Sequence, residues 1–276
     1  MKKIMKWTGI VLGGLIGLAL LAGAALYPGG LEKLTRTYPN IQVEKVNIST
    51  SPDAVARGRH ISIIWKCTEC HREDLSGMLF TNDPILGTIP SSNLTTGKGG
   101  VGVSYTDTDW IRAIRHGVKP NGRVVIFMND YSTLSDQDLG DLIAYLKQIP
   151  PVDAEYQTMH LGPIVPIAPA VGLFTPAAEL INHNAPHPTE PPPGATVEYG
   201  QYLFTICTEC HGANLAVKLG KWSQEDFMRA FRTGVLPDGK QLSSAMPLKT
   251  FNEMNDMELS ALWIYLQKLP LAVSQK

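Results

Sequence analysis

The sequence predicts an all-α protein in which two small helical units follow one N-terminal apolar helix. Three observations lead to this prediction. Residues 7–27 carry no charged side chain. Beyond them, apolar residues recur at the helical spacing i, i+3, i+4 and i+7, between turns rich in glycine and proline. Finally, the order of motifs in residues 53–150 is repeated in residues 195–270, which indicates a duplicated domain.

Composition excludes one class of partner. The 276 residues include 24 basic and 25 acidic side chains, for a formal net charge of −1. A balanced charge gives no electrostatic argument for binding nucleic acid. We therefore expect no nucleic acid among the partners.

Residues 1–27 predict a transmembrane anchor or a signal peptide. The uncharged stretch has about the 20 residues that a spanning helix needs, and it is longer than the core of a typical signal peptide. The lysines before it favour a cytoplasmic N-terminus. However, residues 22–24 (Ala-Gly-Ala) resemble a cleavage site. We expect an uncleaved anchor in the bacterial cytoplasmic membrane; cleavage would instead leave a periplasmic protein.

The run Cys-Thr-Glu-Cys-His occurs twice, at residues 67–71 and 207–211. A Cys-x-x-Cys-His run is the attachment site of a c-type haem, in which both thiols form thioethers and the histidine binds the iron. One helical turn brings these three groups to one side of a porphyrin. The sequence therefore predicts two covalently bound haem c groups, held by Cys67, Cys70 and His71 and by Cys207, Cys210 and His211.

Other uses of paired cysteines explain the pattern less well. A redox dithiol or half of a zinc site does not require a histidine directly after the second cysteine. A zinc ribbon joins its pairs across about 15–20 residues, far fewer than separate these two. Haem attachment uses all four cysteines, so none remains as a nucleophile. Because bacteria attach c-type haem outside the cytoplasmic membrane, the motif also places the soluble part on the periplasmic side.

The first haem domain is predicted at residues 51–150, after a polar tether at residues 28–50. Its expected helices cover residues 53–66, 106–116 and 135–146, with a loop-rich insert at 75–105. Thr106 and Asp109 have the spacing of a capping box, and Gly117 is placed to end that helix. Gly58 costs about 1 kcal/mol relative to Ala in a helix, unless it marks close packing against another helix.

Residues 151–194 predict a semi-rigid linker. Eleven of the 20 prolines lie within residues 150–193, and such a composition is typical of a spacer. We expect this linker to set the separation of the haems. The second haem domain follows at residues 195–276, where Asn255 and Glu258 again have the spacing of a capping box and Pro270 is placed to end the last helix.

Met128 and Met246 are the predicted second axial ligands. Met246 precedes the final helix, far enough along the chain to cover the opposite face of the porphyrin, and Met128 aligns with it. A thioether ligand produces a six-coordinate electron carrier and raises the reduction potential. The predicted metal ligands are therefore His71, Met128, His211 and Met246. Alternatively, these methionines only fill gaps in the core.

Other side chains compete for roles near the haems. Met159 is set aside because it lies in the linker. His60, His116 and the linker histidines are expected to be ordinary surface or supporting residues. Four arginines recur at equal places in the two units, and either bind haem propionates or lie on a solvated helix face: Arg112, Arg115, Arg229 and Arg232.

Together these residues resemble the di-haem class I cytochromes c, especially the cytochrome subunits that accompany membrane-bound alcohol and sugar dehydrogenases. The matching motifs are Arg57-Gly58, residues 67–71, Asn93-Leu94-Thr95, residues 110–118, Pro120, Gly122, Met128 and residues 139–146. The resemblance implies small all-α domains with a haem packed between helices, and hence two tandem class I cytochrome c domains. Many of those subunits have three haem motifs, whereas this chain has two.

Three functions are compatible with two haem sites. The first is an electron carrier between a dehydrogenase donor and an oxidase or cytochrome acceptor. The second is a di-haem peroxidase, which needs one open haem site and would give His60 or His116 a role. The third is a haem sensor, for which no signalling domain is evident in the sequence. We expect the electron carrier rather than an enzyme, because the two methionines lie at nearly equal places.

Overall fold

The structure is a computed structural model that describes residues 2–212 and 222–269. Its first element is the 34-residue helix α1 (Lys2–Thr35), which continues through Pro28. By length and composition it could cross a membrane, a test that signal sequences also pass. The predicted tether is therefore helical up to residue 35. Packing explains the difference, because Leu34 in the last turn is buried.

The first unit contains α2 (Pro52–Ile64), α3 (Cys67–His71), α4 (Asp107–His116) and α5 (Asp136–Leu146). The capping box of Thr106 and Asp109 is present, and Gly117 ends α4 in the left-handed conformation with φ of 63°. Both predictions are confirmed. The predicted helix at residues 53–66 is interrupted, since Lys66 has a left-handed φ of 64° and separates α2 from the haem motif on α3.

Helices α2 and α5 cross at Gly58. A Cβ atom placed on this glycine would lie 1.9 Å from the carbonyl oxygen of Asp141. Beside the crossing, Arg57 Nε donates a hydrogen bond of 2.8 Å to the buried carboxylate of Asp141. The expectation that Gly58 marks close helix packing is therefore confirmed.

A small antiparallel sheet corrects the all-α prediction. Its strands are β1 (Leu79–Asp83), β2 (Gly87–Pro90) and β3 (His160–Leu161), in the order β1-β2-β3. Asp83 stabilises the β1–β2 turn by accepting hydrogen bonds from the backbone N–H groups of Ile85 and Leu86. The insert that the sequence indicated only as loop-rich thus forms a hairpin.

The proline-rich segment is packed against the first unit instead of spanning open space. Besides β3 it contains the short helices α6 (Ile167–Ala170) and α7 (Ala177–Leu180). The side chain of Asn93 donates a hydrogen bond of 2.7 Å to the carbonyl of Val152. Side chains of the first unit thus hydrogen-bond to backbone groups of this segment that lie outside helices and strands. The predicted linker is therefore partly folded.

The second unit repeats the helices of the first. It contains α8 (Val197–Phe204), a 3-10 turn (Thr205–Cys207), α9 (Thr208–His211), α10 (Gln224–Thr233), α11 (Leu248–Asn252) and α12 (Asp256–Leu266). The predicted capping box of Asn255 and Glu258 is present. A Cβ atom on Gly200 would lie 2.0 Å from the carbonyl oxygen of Ala261, which repeats the crossing at Gly58. Pro270 and the rest of residues 270–276 lie outside the described residues, as do residues 213–221.

The two units share one hydrophobic core. The rings of Trp65 and Tyr202, one from each unit, have centroids 5.9 Å apart. The Tyr202 hydroxyl donates a hydrogen bond of 2.5 Å to Asp138 of the first unit. His60 Nε2 lies 2.8 Å from Glu258 Oε1 of the second unit. Direct packing, and not the length of a linker, therefore sets the separation of the units.

Replacing either crossing glycine should destabilise the protein. In Gly58→Ala and Gly200→Ala the new methyl group meets a backbone carbonyl that cannot rotate away, so we expect a loss of about 1–3 kcal/mol despite the better helix propensity of alanine. Chemical denaturation of the haem-loaded protein measures the free energy of unfolding. Gly194→Ala is the control, since its Cβ would make an ordinary contact of 3.5 Å with Thr196. Equal stability of all three variants would contradict the packing argument.

The ion pair between the units should depend on pH. The carboxylate of Glu258 raises the pKa of His60 above its ordinary value, although burial opposes it, and Glu253 and Asp138 act in the same direction as Glu258. A raised pKa in the folded state stabilises the protein below the unfolded-state value of about 6.5, and this contribution disappears as pH rises through the folded-state pKa.

His60→Gln should therefore lower the free energy of unfolding more at about pH 6 than at about pH 9. Glu258→Gln should remove the same pH-dependent part while keeping a residue that a capping box accepts. The double variant should lose little beyond either single one. A difference between wild type and His60→Gln that stays constant across this pH range would exclude the charged pair.

Candidate haem sites

One cavity in the first unit brings the predicted haem residues together. Cys67, Cys70, His71 and Met128 all line it, and its empty volume is about 1160 Å³ including its mouth. That volume, which includes space open to solvent, lies slightly above the roughly 300–1,000 Å³ of typical ligand pockets. The rest of its wall is mostly apolar and includes Leu94, Tyr105, Trp110, Ile114, Leu142 and Leu146.

The imidazole of His71 is held in one tautomer. Its Nδ1 lies 2.8 Å from the carbonyl oxygen of Ser92. Because a carbonyl only accepts, Nδ1 must carry the proton and Nε2 keeps its lone pair. Burial lowers the pKa of His71, which favours the neutral ring. Histidines that bind metals are commonly oriented by such a hydrogen bond from the other ring nitrogen.

The neighbouring Ser91 secures the end of α3. Its hydroxyl donates a hydrogen bond of 2.7 Å to the carbonyl of Cys70 and accepts one of 2.8 Å from the N–H of Met78. The residues that hold His71 therefore also hold the second cysteine. They come from the loop-rich insert, which gives that insert a function in positioning the motif.

The environment of the cysteines disfavours a redox dithiol. Burial raises the pKa of the Cys67 thiol to about 12, and it raises that of Cys207 to about 12 as well. Thiols of disulfide oxidoreductases have the opposite shift, because the thiolate is the reactive form. A zinc site has no support either: within residues 2–212 and 222–269, no three His, Cys, Asp or Glu side chains cluster to hold a metal ion.

Met159 also lines the first cavity. The sequence alone places this methionine in the predicted linker, away from the haem. Residues 160–161 form β3, which pairs with β2, and this pairing brings the preceding methionine to the cavity wall. No local pattern indicates such a position, since it depends on strand pairing across more than seventy residues. Met159 is therefore a second candidate, besides Met128, for the sulfur ligand in this cavity.

The second site is described in part. Cys207 closes the 3-10 turn, and Cys210 and His211 lie on α9. Met246 is half-buried and packs against the shared core, as Cys207 does. Residues 213–221, which follow the motif, lie outside the described residues. The positive charge of Lys66, a residue on the wall of the first cavity, slightly opposes the effect of burial on the pKa of Cys207.

The competing histidines belong to other networks. His60 pairs with Glu258, and His116 Nδ1 lies 3.2 Å from His183 Nδ1. Burial, together with nearby positive groups, lowers the pKa of His116 to about 4. His187 Nδ1 lies 3.0 Å from Asp136. Among the described residues, His71 is the only histidine on the wall of the first cavity.

The recurring arginines have matching structural partners. Arg112 and Arg229 each pair with the acidic capping residue of their own helix, at 2.9 Å and 2.5 Å. Arg115 and Arg232 each reach the first residue of the last helix of their unit, Asp136 at 2.6 Å and Asp256 at 2.9 Å. None of them is among the residues that line the described cavity. Equivalent ion pairs in the two units therefore give the recurrence of these arginines a structural reason.

The first site fits a c-type haem. Two sulfurs and an imidazole with a free Nε2 lone pair lie on one helical turn, and a thioether lies on the same apolar cavity wall. This donor set is the one that c-type cytochromes use.

Comparison with known proteins agrees with the geometry. Residues 55–150 match the cytochrome c family. The chain is 24% identical to the fructose dehydrogenase cytochrome subunit of Gluconobacter japonicus, across 82% of this chain and 55% of that protein. It is 22% identical to the cytochrome c subunit of alcohol dehydrogenase (quinone) from Gluconobacter oxydans (strain 621H), across 78% and 55%. A shorter match, 35% identical over 33% of this chain and 22% of the relative, is the gluconate 2-dehydrogenase cytochrome c subunit of Pantoea cypripedii.

The chain spans about half the length of the fructose and alcohol dehydrogenase subunits. All three relatives are named as cytochrome subunits, which agrees with the interpretation as an electron carrier rather than an enzyme and does not favour a peroxidase. Residues 55–150 thus match the cytochrome c family, and the chain is similar over about four fifths of its length to the cytochrome c subunits of fructose and alcohol dehydrogenases.

Proposed function

We propose that this chain is a di-haem c-type cytochrome, built from two tandem cytochrome c domains, that carries single electrons from a dehydrogenase to a respiratory acceptor. The observation that carries the proposal is the cavity on which Cys67, Cys70, His71 and Met128 meet. When bound there, haem supplies one-electron chemistry at its iron. The donor is proposed from the names of the relatives, which are subunits of dehydrogenases.

The residues of the chain have three tasks in this function. The cysteines hold the haem covalently, and His71, fixed by the Ser92 carbonyl, presents a neutral ligand. The apolar wall excludes water from the haem. A dry site protects the iron from side reactions and favours the oxidation state of the haem that has the smaller net charge. Met128 and, in the second domain, Met246 would supply the sulfur ligands to the iron, besides His71 and His211.

Contacts between the units reach the first attachment motif and its neighbouring residues. The Thr250 hydroxyl of the second unit donates a hydrogen bond of 2.5 Å to Glu69 inside the first motif. Lys249 pairs with Glu73 just beyond that motif. Trp65, two residues before Cys67, packs on Tyr202. Such contacts limit the relative motion of the units, which favours electron transfer between two haems.

The proposed location follows from α1 and from the haem motif. Helix α1 would anchor the chain in the cytoplasmic membrane, with the haem domains on the periplasmic side, where c-type haem is attached. The continuity of α1 from its apolar stretch to the buried Leu34 supports an uncleaved anchor. Cleavage as a signal peptide, which would leave a periplasmic protein, is the alternative.

A matched pair of variants tests the axial ligand and the carrier function together. Wild-type protein should show the far-red methionine–iron band of its oxidised form and bind no carbon monoxide when reduced. Met128→Leu should lose about half of that band and let about half of the haem bind carbon monoxide, because one of two irons loses its sixth ligand. Met159→Leu removes a thioether from the same cavity and should leave both readings unchanged.

Two results would contradict different parts of this proposal. Carbon monoxide binding by the wild-type protein would indicate an open haem and favour the peroxidase alternative. Loss of the band in Met159→Leu, with Met128→Leu unaffected, would keep the carrier function but transfer the ligand role to Met159.

A further inference from the structure

A patch of exposed apolar side chains lies beside the C-terminal half of α1. Residues 162–178 contain no charged side chain. Within them Ile164, Val171 and Leu173 are 47%, 52% and 78% exposed. At the tip of the β1–β2 hairpin, Ile85 and Leu86 are 54% and 42% exposed. We call these five residues the apolar platform.

The hairpin tip and residues 162–173 form one surface. The N–H of Gly162 donates a hydrogen bond of 3.0 Å to the carbonyl of Leu86. A Cβ atom on Gly162 would lie 2.1 Å from the carbonyl oxygen of Ile85, so the two backbones are in direct contact. The two segments of the platform are therefore joined at Gly162, although they lie about eighty residues apart in the sequence.

Helix α1 is attached to the same segment. A Cβ atom on Gly30 would lie 1.6 Å from the carbonyl oxygen of Pro166, and Lys33 Nζ donates a hydrogen bond of 3.2 Å to the carbonyl of Pro169. Nearer the N-terminus, the side chain of Ile167 reaches Gly23. The contact thus extends along α1 into its apolar stretch.

The contact at Gly23 relates this segment to the depth of the membrane that α1 is proposed to span. The first charged residue after the apolar stretch is Glu32. With a rise of 1.5 Å per residue, Gly23 lies about 13 Å before it along the helix. If α1 spans the bilayer, side chains packed against Gly23 lie at or below the headgroups. The outer side chains of the platform then face lipid.

The backbone of the segment suits an apolar environment. Pro163, Pro166 and Pro169 have no N–H group to satisfy. The N–H groups of Val171 and Leu173 donate to carbonyls within the segment, at 3.1 Å and 2.9 Å. Lipid cannot accept hydrogen bonds, so internal satisfaction of donors is the requirement for backbone at membrane depth.

We propose that the apolar platform inserts into the boundary between headgroups and acyl chains, and so holds the first domain against the membrane at a second point besides α1. Exposed apolar patches continuous with a membrane anchor are suited to this role. The inference rests on the proposed role of α1 as an uncleaved anchor. Phe127 on the cavity wall contacts Phe174, with ring centroids 5.5 Å apart, so the segment that carries the platform also contacts the wall of the haem cavity.

Photo-crosslinking to lipid tests the platform in the full-length, haem-loaded protein. A benzophenone-bearing amino acid replaces Leu173 of the platform, Leu15 of α1, or Val103, which is 69% exposed but lies outside the platform. Each protein is reconstituted into vesicles of phosphatidylcholine and phosphatidylglycerol and illuminated, and lipid adducts are measured by mass spectrometry. An unchanged haem spectrum verifies the fold of each variant.

We expect adducts at positions 173 and 15, with several-fold fewer at position 103. Adducts at position 15 but not at 173 would overturn the platform and leave the anchor intact. If the protein is found to lack its N-terminal segment through cleavage, adducts at position 173 would support lipid contact by the platform and overturn the uncleaved anchor. Equal adducts at positions 173 and 103 would show unselective contact and also overturn the inference.

Discussion

The arrangement of each unit depends on a constraint imposed by one helical turn. Two sulfurs and one imidazole on a single turn define where a planar ring must lie, and the remaining chain has to cover both of its faces. In the first unit the loop-rich insert holds the turn from one side through Ser91 and Ser92. The segment that carries Met128 forms another part of the cavity wall. The helices therefore serve mainly to keep these two segments in place.

A second constraint connects the two units. In each, the helix before the motif crosses the last helix at a glycine, so that backbones touch and the position of the motif is rigidly related to the core. The same helices form the contact between units, through Trp65 with Tyr202 and His60 with Glu258. The shared core thus sets the relative position of the two units. The proline-rich segment does not have this role and packs along the surface of the first unit.

Local features of the fold could be predicted from sequence because local residues determine them. The capping boxes, the left-handed Gly117 and the turn of the haem motif all depend on side chains within a few positions. The helix crossing at Gly58 could also be predicted, because a glycine inside a helix is unfavourable and often marks close packing against another helix. Four features depend on distant contacts and were missed or misplaced: the three-stranded sheet, the extension of α1 to Thr35, the packing of residues 151–194, and the presence of Met159 on the cavity wall.

The central claim is that both motifs carry covalently attached haem, and the most direct test is the intact mass of the denatured protein after maturation in a host that attaches c-type haem. The account predicts a mass higher than that of the polypeptide by two haem groups, no thiol available to an alkylating reagent, and loss of one haem group in Cys207→Ser combined with Cys210→Ser. A mass equal to the polypeptide alone, or one haem with two reactive thiols in the wild-type chain, would contradict it.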